Sequence, residues 1–132
     1  MTLRPLSPTV SVSAQLSPDI MPALAASGVV RVISNRPDGE EPGQPTAAEM
    51  EAAARGAGLG FAWVPVSGLP APDQVAAVAG LLADNMPTVM FCRSGMRSAA
   101  AWAMAERLKG ANADILRETA AAAGYDLGQV PL

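Results

Sequence analysis

The sequence predicts an α/β protein: a mostly parallel, four-stranded sheet flanked by helices, three layers in all. Three observations predict it. Short β-rich runs alternate with helical patterns along the chain, the order that a parallel sheet with crossover helices produces. The last of these runs, "PTVMFC" (87–92), is apolar on both faces, as a central strand is. No internal repeat, low-complexity segment or linker divides the 132 residues, so residues 1–132 read as one domain, long enough to bury a core without disulfides or metals.

Each element has a local reason. "TVSVSA" (9–14) alternates valine with small polar residues and reads as a first strand at a sheet edge. "SPDIMPALAASG" (17–28) carries helix-start chemistry: with Asp19 as N-cap, Pro22 falls in the first turn, where its missing N–H costs nothing, and Gly28 suits the stop. "VVRVISN" (29–35) is the second strand. "RPDGEEPGQP" (36–45), with three prolines and two glycines, is loop. "TAAEMEAAARGAG" (46–58) opens with Thr46 and Glu49 at capping-box spacing and ends in glycine. "GFAWVPV" (60–66) is the third strand, and "PDQVAAVAGLLAD" (72–84) a helix with proline and aspartate in its first turn. Residues 87–92 form the fourth strand. The following helix, to about Lys109, is apolar almost all round from Ala99 to Ala105 and belongs in the interior. "NADILRETAAAAG" (112–124) is the last helix, and "YDLGQVPL" a tail. Trp63 and Trp102 read as core.

Composition narrows the chemistry. A net charge of −3 gives nucleic-acid binding no electrostatic support. No run approaches a transmembrane or signal segment, and a lone cysteine fits a reducing compartment, so a cytoplasmic location with no membrane partner is expected. There is no histidine, which removes histidine-assisted hydrolases and most zinc sites. Phosphate loops of the "GKS" kind, dinucleotide fingerprints and metal-ligand clusters are absent too, so no cofactor and no metal are expected. The chemistry is left to one thiol, carboxylates, arginines, hydroxyls and backbone amides. Oligomeric state is not legible.

That thiol stands in "VMFCRSGMRSAAAWA" (89–103). Cys92 ends the presumed central strand, at the carboxyl edge where open α/β sheets place ligands. Its loop feeds straight into a helix, whose free first-turn amides and positive dipole end favour a thiolate and form a nest for an anion. Arg93 and Arg97 add charge, and Arg97 can close the cradle with a bidentate fork. Gly95 supplies the backbone freedom of such a loop. Ser94 and Met96 contribute cradle backbone, and Ser98 either caps the helix or donates to the sulfur. The competing reading makes Cys92 a small apolar residue ending a strand.

The segment resembles the active-site loops of cysteine-dependent phosphatases and of rhodanese-type sulfurtransferases. More widely, "LSPTVSVSAQLSPDIMPALAASGVVRVISNRPDGEEPGQPT", "FAWVPV", "FCRSGMRSAAAWA" and "AAAGYDL" resemble a bacterial sulfur transferase/phosphatase-like family related to the N-terminal domain of beta-lactamase-hydrolase-like proteins. The resemblance implies a fold similar to dual-specificity phosphatases, with the anion loop at Cys92, Arg93, Ser94, Gly95, Met96, Arg97 and Ser98.

Two departures then bear on the reaction. Cysteine phosphatases use Cys-x5-Arg, whereas Cys92 and Arg97 make Cys-x4-Arg, a length similar to rhodanese-type enzymes. Thiolate cleavage of a phosphate ester also needs a proton for the leaving oxygen. The residue after the third strand is Ser67 rather than aspartate; Asp73, farther on, is a secondary candidate whose commoner role is first-turn stabilisation. Both departures lead to an expected sulfurtransferase, moving a sulfane sulfur from thiosulfate or a persulfide donor through a Cys92 persulfide to a thiol acceptor. The alternatives are a phosphatase with a thiophosphate on Cys92, and a non-catalytic anion- or phosphopeptide-binding module. Asn35 and Arg36 fall on the same rim. Arg36 is either a substrate-binding cation or a solvated arginine paired with Asp38, Glu40 or Glu41, and that acidic pair could gate the pocket.

Overall fold

The computed structural model describes residues 2–132. Five strands form one sheet: β1 (Arg4–Pro5), β2 (Val10–Ser13), β3 (Arg31–Ser34), β4 (Gly60–Trp63) and β5 (Thr88–Phe91), in the order β1-β2-β5-β3-β4. β2, β5, β3 and β4 are the four parallel strands the alternation predicts. The fifth, β1, pairs antiparallel with β2, Arg4 opposite Val12. Two residues, one a proline, are too short a run to carry a strand pattern. β1 also moves β2 inward, so the 9–14 run is not at the edge. β5 is central and buried at all four positions.

Side chains alternate across the sheet and build two cores. Ile33 and Met90 point to one face, with α3 (Pro72–Leu82), α4 (Met96–Leu108) and α5 (Ala113–Ala122). Val32, Val89 and Phe91 point to the other, with α1 (Met21–Ala26) and α2 (Ala47–Gly56). The layers are therefore helices, sheet, helices. α4 is the best-buried helix, with Ala99, Ala101, Ala103 and Ala105 fully covered; their small side chains let it lie close to the sheet and to α3. No described helix is long and apolar enough to cross a membrane.

Most local signals hold. Thr46 Oγ1 accepts the Glu49 N–H at 3.1 Å, and Asn112 Oδ1 accepts that of Ile115 at 3.0 Å. Gly28 and Gly124 leave their helices at φ 99° and 97°. Three details differ. Ser17, not Asp19, caps the first helical segment: its hydroxyl accepts the Asp19 N–H at 3.3 Å, and residues 18–20 form a tight 3₁₀ turn before α1. The third strand stops at Trp63 rather than 66: the Val64 N–H still donates to Ser34 O at 2.9 Å, but the Val66 N–H donates to Asn35 O at 2.9 Å instead of to residue 36, so the register slips there. Trp102 is core, but Trp63 is 45% exposed: it ends the edge strand, with its indole N–H donating to the Arg36 carbonyl at 2.9 Å.

Replacing the fully buried Ile33 by alanine is expected to destabilise the fold by ~2–5 kcal/mol in equilibrium denaturation. A loss under ~1 kcal/mol would mean the two-core packing is wrong.

Candidate active site

The carboxyl ends of β2, β5, β3 and β4 make one rim, and Cys92 emerges from its middle. Backbone bonds clamp the departing chain on both sides. On the β2 side, Cys92 N–H donates to Ser13 O at 3.4 Å and Gln15 N–H to Arg93 O at 3.2 Å. On the β3 side, Asn35 N–H donates to Phe91 O at 2.8 Å. The loop then turns at Gly95, the cap residue of α4, at φ 96°. A Cβ at Gly95 would collide with the Tyr125 hydroxyl, so this glycine is required by backbone conformation and by space.

The turn folds the chain back onto the sulfur. The Gly95 N–H donates to Cys92 Sγ at 3.1 Å, and Cys92 is fully buried. Gly95, at the cap position of α4, has no side chain to engage the first-turn amides, and only that of Met96 has a side-chain partner. Ser94 is exposed and accepts the Met96 N–H at 3.3 Å; Met96 opens α4. Ser98 neither caps the helix nor is bonded to the sulfur. Its buried hydroxyl donates to Asn35 Oδ1 at 2.8 Å, and Asn35 Nδ2 donates to Val64 O at 3.0 Å. This chain ties α4, β3 and the segment after β4 together beneath the loop. Tyr125, from the segment read as a tail, completes the packing: its hydroxyl donates to Ser94 O at 3.2 Å, and burial holds the phenol above its ordinary value.

The charged side chains pair with one another. Arg97 lies near the sulfur, but its fork is engaged elsewhere: Nη1 donates to Glu40 Oε2 at 2.8 Å and Val66 O at 2.7 Å, and Nη2 to Glu40 Oε1 at 2.9 Å. Arg36 is neither solvated nor open to a substrate. It is 2% exposed and donates to Glu40 at 2.9 Å, Glu41 at 2.8 Å and Gln15 Oε1 at 3.0 Å. Burial alone would lower the Arg36 pKa; Glu41 and Glu40 outweigh it and raise it. Arg97 is raised as well, first by Glu40. Glu41 is lowered chiefly by Arg36. Arg93 is 69% exposed and 3.8 Å from Glu41. Asp73 sits exposed in the first turn of α3, with no side-chain bond among the described residues, and stays apart from this network. Glu40 is the hub that the sequence reading placed only as a possible partner or gate; its signal was two adjacent acids in a loop beginning at a strand's carboxyl end.

A family described as beta-lactamase hydrolase-like protein, phosphatase-like domain, matches residues 2–109. A beta-lactamase hydrolase-like protein of Xylella fastidiosa is 32% identical over 132 residues, which cover 98% of this chain and 31% of that relative's length. Among solved structures, a candidate phosphatase from Neisseria meningitidis superposes with a TM-score of 0.83 at 28% identity, covering 98% of this chain and 93% of its own. A cysteine-to-serine variant of P. aeruginosa TpbA in complex with pTyr shares the fold, with a TM-score of 0.68 at 21% identity over 97% of this chain and 77% of its own.

The expected sulfurtransferase is corrected by these findings, since both the family and its 28%-identical structural neighbour are described in terms of phosphatases. The structure shows why counting residues misled. Arg97 reaches the sulfur's surroundings from the first turn of α4, so one residue fewer in the loop does not remove the cation.

Glu40 is lowered from 4.5 to about 2, first by its hydrogen bonds with Arg97, then against burial by those with Arg36. Its folded value lies below its unfolded one, so its stabilising effect is complete above pH 4.5 and lost as pH falls from there toward 2. A carboxyl NMR titration should place the Glu40 midpoint near 2. A midpoint at the ordinary 4.5 would contradict the pairing.

Proposed function

This chain belongs to the beta-lactamase hydrolase-like protein, phosphatase-like domain family, and from that membership we propose that it is a cysteine-dependent phosphatase for phosphate monoesters with good leaving groups. The observation that carries the proposal is the Cys92 sulfur, held by the Gly95 amide at the N-terminus of α4 with the Arg97 guanidinium beside it. A phosphoryl group carries negative oxygens that need oriented N–H donors, and the start of α4 provides them.

In the proposed reaction the Cys92 thiolate attacks phosphorus, an S–P bond forms, and the P–O bond to the leaving group breaks. The electron pair of that bond leaves with the oxygen. Water then attacks the phosphocysteine, breaking the S–P bond, releasing inorganic phosphate and restoring the thiolate. Loop amides and Arg97 bind the phosphoryl oxygens in both steps, with Arg93 adding charge at the mouth. Met96 and Ser94 supply backbone to the cradle, and Ser98, through Asn35, holds the helix start in place. Because Arg97 is engaged by Glu40, the phosphoryl group takes over donors that the carboxylate holds at rest. Arg36 acts at one remove, by fixing Glu40 and Glu41.

The leaving oxygen has no evident proton donor. Glu40 is a carboxylate down to about pH 2, and Asp73 is solvent-exposed on α3. A leaving group of low basicity needs no protonation, so the rate should depend steeply on it.

Nitrophenyl phosphate is expected to be hydrolysed much faster than phenyl phosphate, with vanadate inhibiting and Cys92→Ser reducing turnover to background. Undiminished hydrolysis by Cys92→Ser would exclude the mechanism. Equal rates for the two esters would mean that a protein acid is present after all.

A further inference from the structure

The rim has two sides, and their charges differ. On the β3–β4 side of the loop stand Glu40 and Glu41, which occupy Arg36, Arg97 and the edge of Arg93. A second negative group on a substrate would meet these carboxylates there. On the β2 side lies a cavity of about 490 Å³, walled by Arg4, Gln15, Ser94 and Tyr125 among others. Ser94 belongs to the anion loop itself, and Tyr125 is the residue packed on Gly95, so this cavity adjoins the outer wall of the cradle.

Arg4 is the cation of that cavity, and it differs from the arginines across the loop. Among the described residues no carboxylate lies within ion-pair distance of it. Only Nη1 is bonded, donating to Ala123 O at 2.9 Å, while the guanidinium stands 5.8 Å from the centre of the Tyr125 ring. Its remaining N–H donors have no hydrogen-bond partner among the described residues. Thr2, Ser13 and Ser17 line the same space. Pairing of β1 with β2 fixes the backbone of Arg4 opposite Val12, one residue before the strand end that flanks Cys92.

We propose that this cavity is the leaving-group subsite, and that it selects phosphomonoesters whose leaving group carries a second negative charge, received by Arg4. The assignment rests on the phosphatase reading. With phosphorus over Cys92, the leaving group extends away from the Glu40 side, where like charge opposes it, toward the cation across the loop.

The test compares phenyl phosphate with 3- and 4-carboxyphenyl phosphate. Binding is measured by calorimetry to Cys92→Ser, and kcat/KM on the cysteine-containing protein. The better-placed carboxylated ester should bind up to about fivefold more tightly than the parent, the size of an exposed ion pair. Arg4→Gln should bring that ratio to about one, and Arg4→Lys should keep part of it. Thr2→Glu, which places a negative charge in the same cavity without altering Arg4, should also abolish the preference. The preference should appear in KM rather than kcat. Equal binding of all three esters, or a preference that survives Arg4→Gln, overturns the subsite and leaves the phosphatase intact. If Cys92→Ser binds none of them and the cysteine protein hydrolyses none, the phosphatase reading fails and the subsite with it.

Discussion

The structure depends on where the middle strand ends. β5 is flanked by β2 and β3 along its whole length, so its carboxyl end cannot drift, and the chain leaves it under hydrogen bonds from both neighbours. The next turn is forced by Gly95 and by the Tyr125 ring behind it, and it aims an amide at the sulfur. A flexible loop would have to pay conformational entropy to gather these donors around an anion; here folding has already placed them. The alanine surface of α4 serves the same end by seating the helix firmly against the sheet.

Charge compensation is the second constraint. Arg36 is almost completely buried, and a buried guanidinium is tolerated only when its donors are satisfied. Glu40, Glu41 and Gln15 satisfy it, and Glu40 at the same time holds Arg97. The acidic loop after β3 therefore builds the site and occupies its main cation. In the proposed reaction the phosphoryl group competes with an internal carboxylate, which disfavours weakly charged anions.

Much of this was legible in the residues. The central apolar run, the helix cap at Thr46 and the glycine turn between the cysteine and a buried helix each reflect local chemistry and appear where expected, although the helix starts at Met96 and takes in Arg97. What was not legible depended on tertiary position. β1 is two residues held only by its partner strand. Trp63 looked like core because it is large and apolar, but it ends an edge strand. Ser98 was read toward the nearest interesting atom, whereas its partner Asn35 arrives from 63 residues away. The choice of sulfur over phosphorus rested on loop length and on the missing aspartate after the third strand, and loop length does not say where a helix-borne arginine points.

The central claim is that Cys92 accepts the phosphoryl group. Rapid acid quench during turnover of nitrophenyl phosphate, followed by peptide mass spectrometry, tests it most directly. The mechanism predicts one phosphoryl group on the peptide containing Cys92, rising within the first turnover and absent from Cys92→Ser. Turnover with Cys92 unmodified, or a phosphoryl group trapped on another residue, would contradict it.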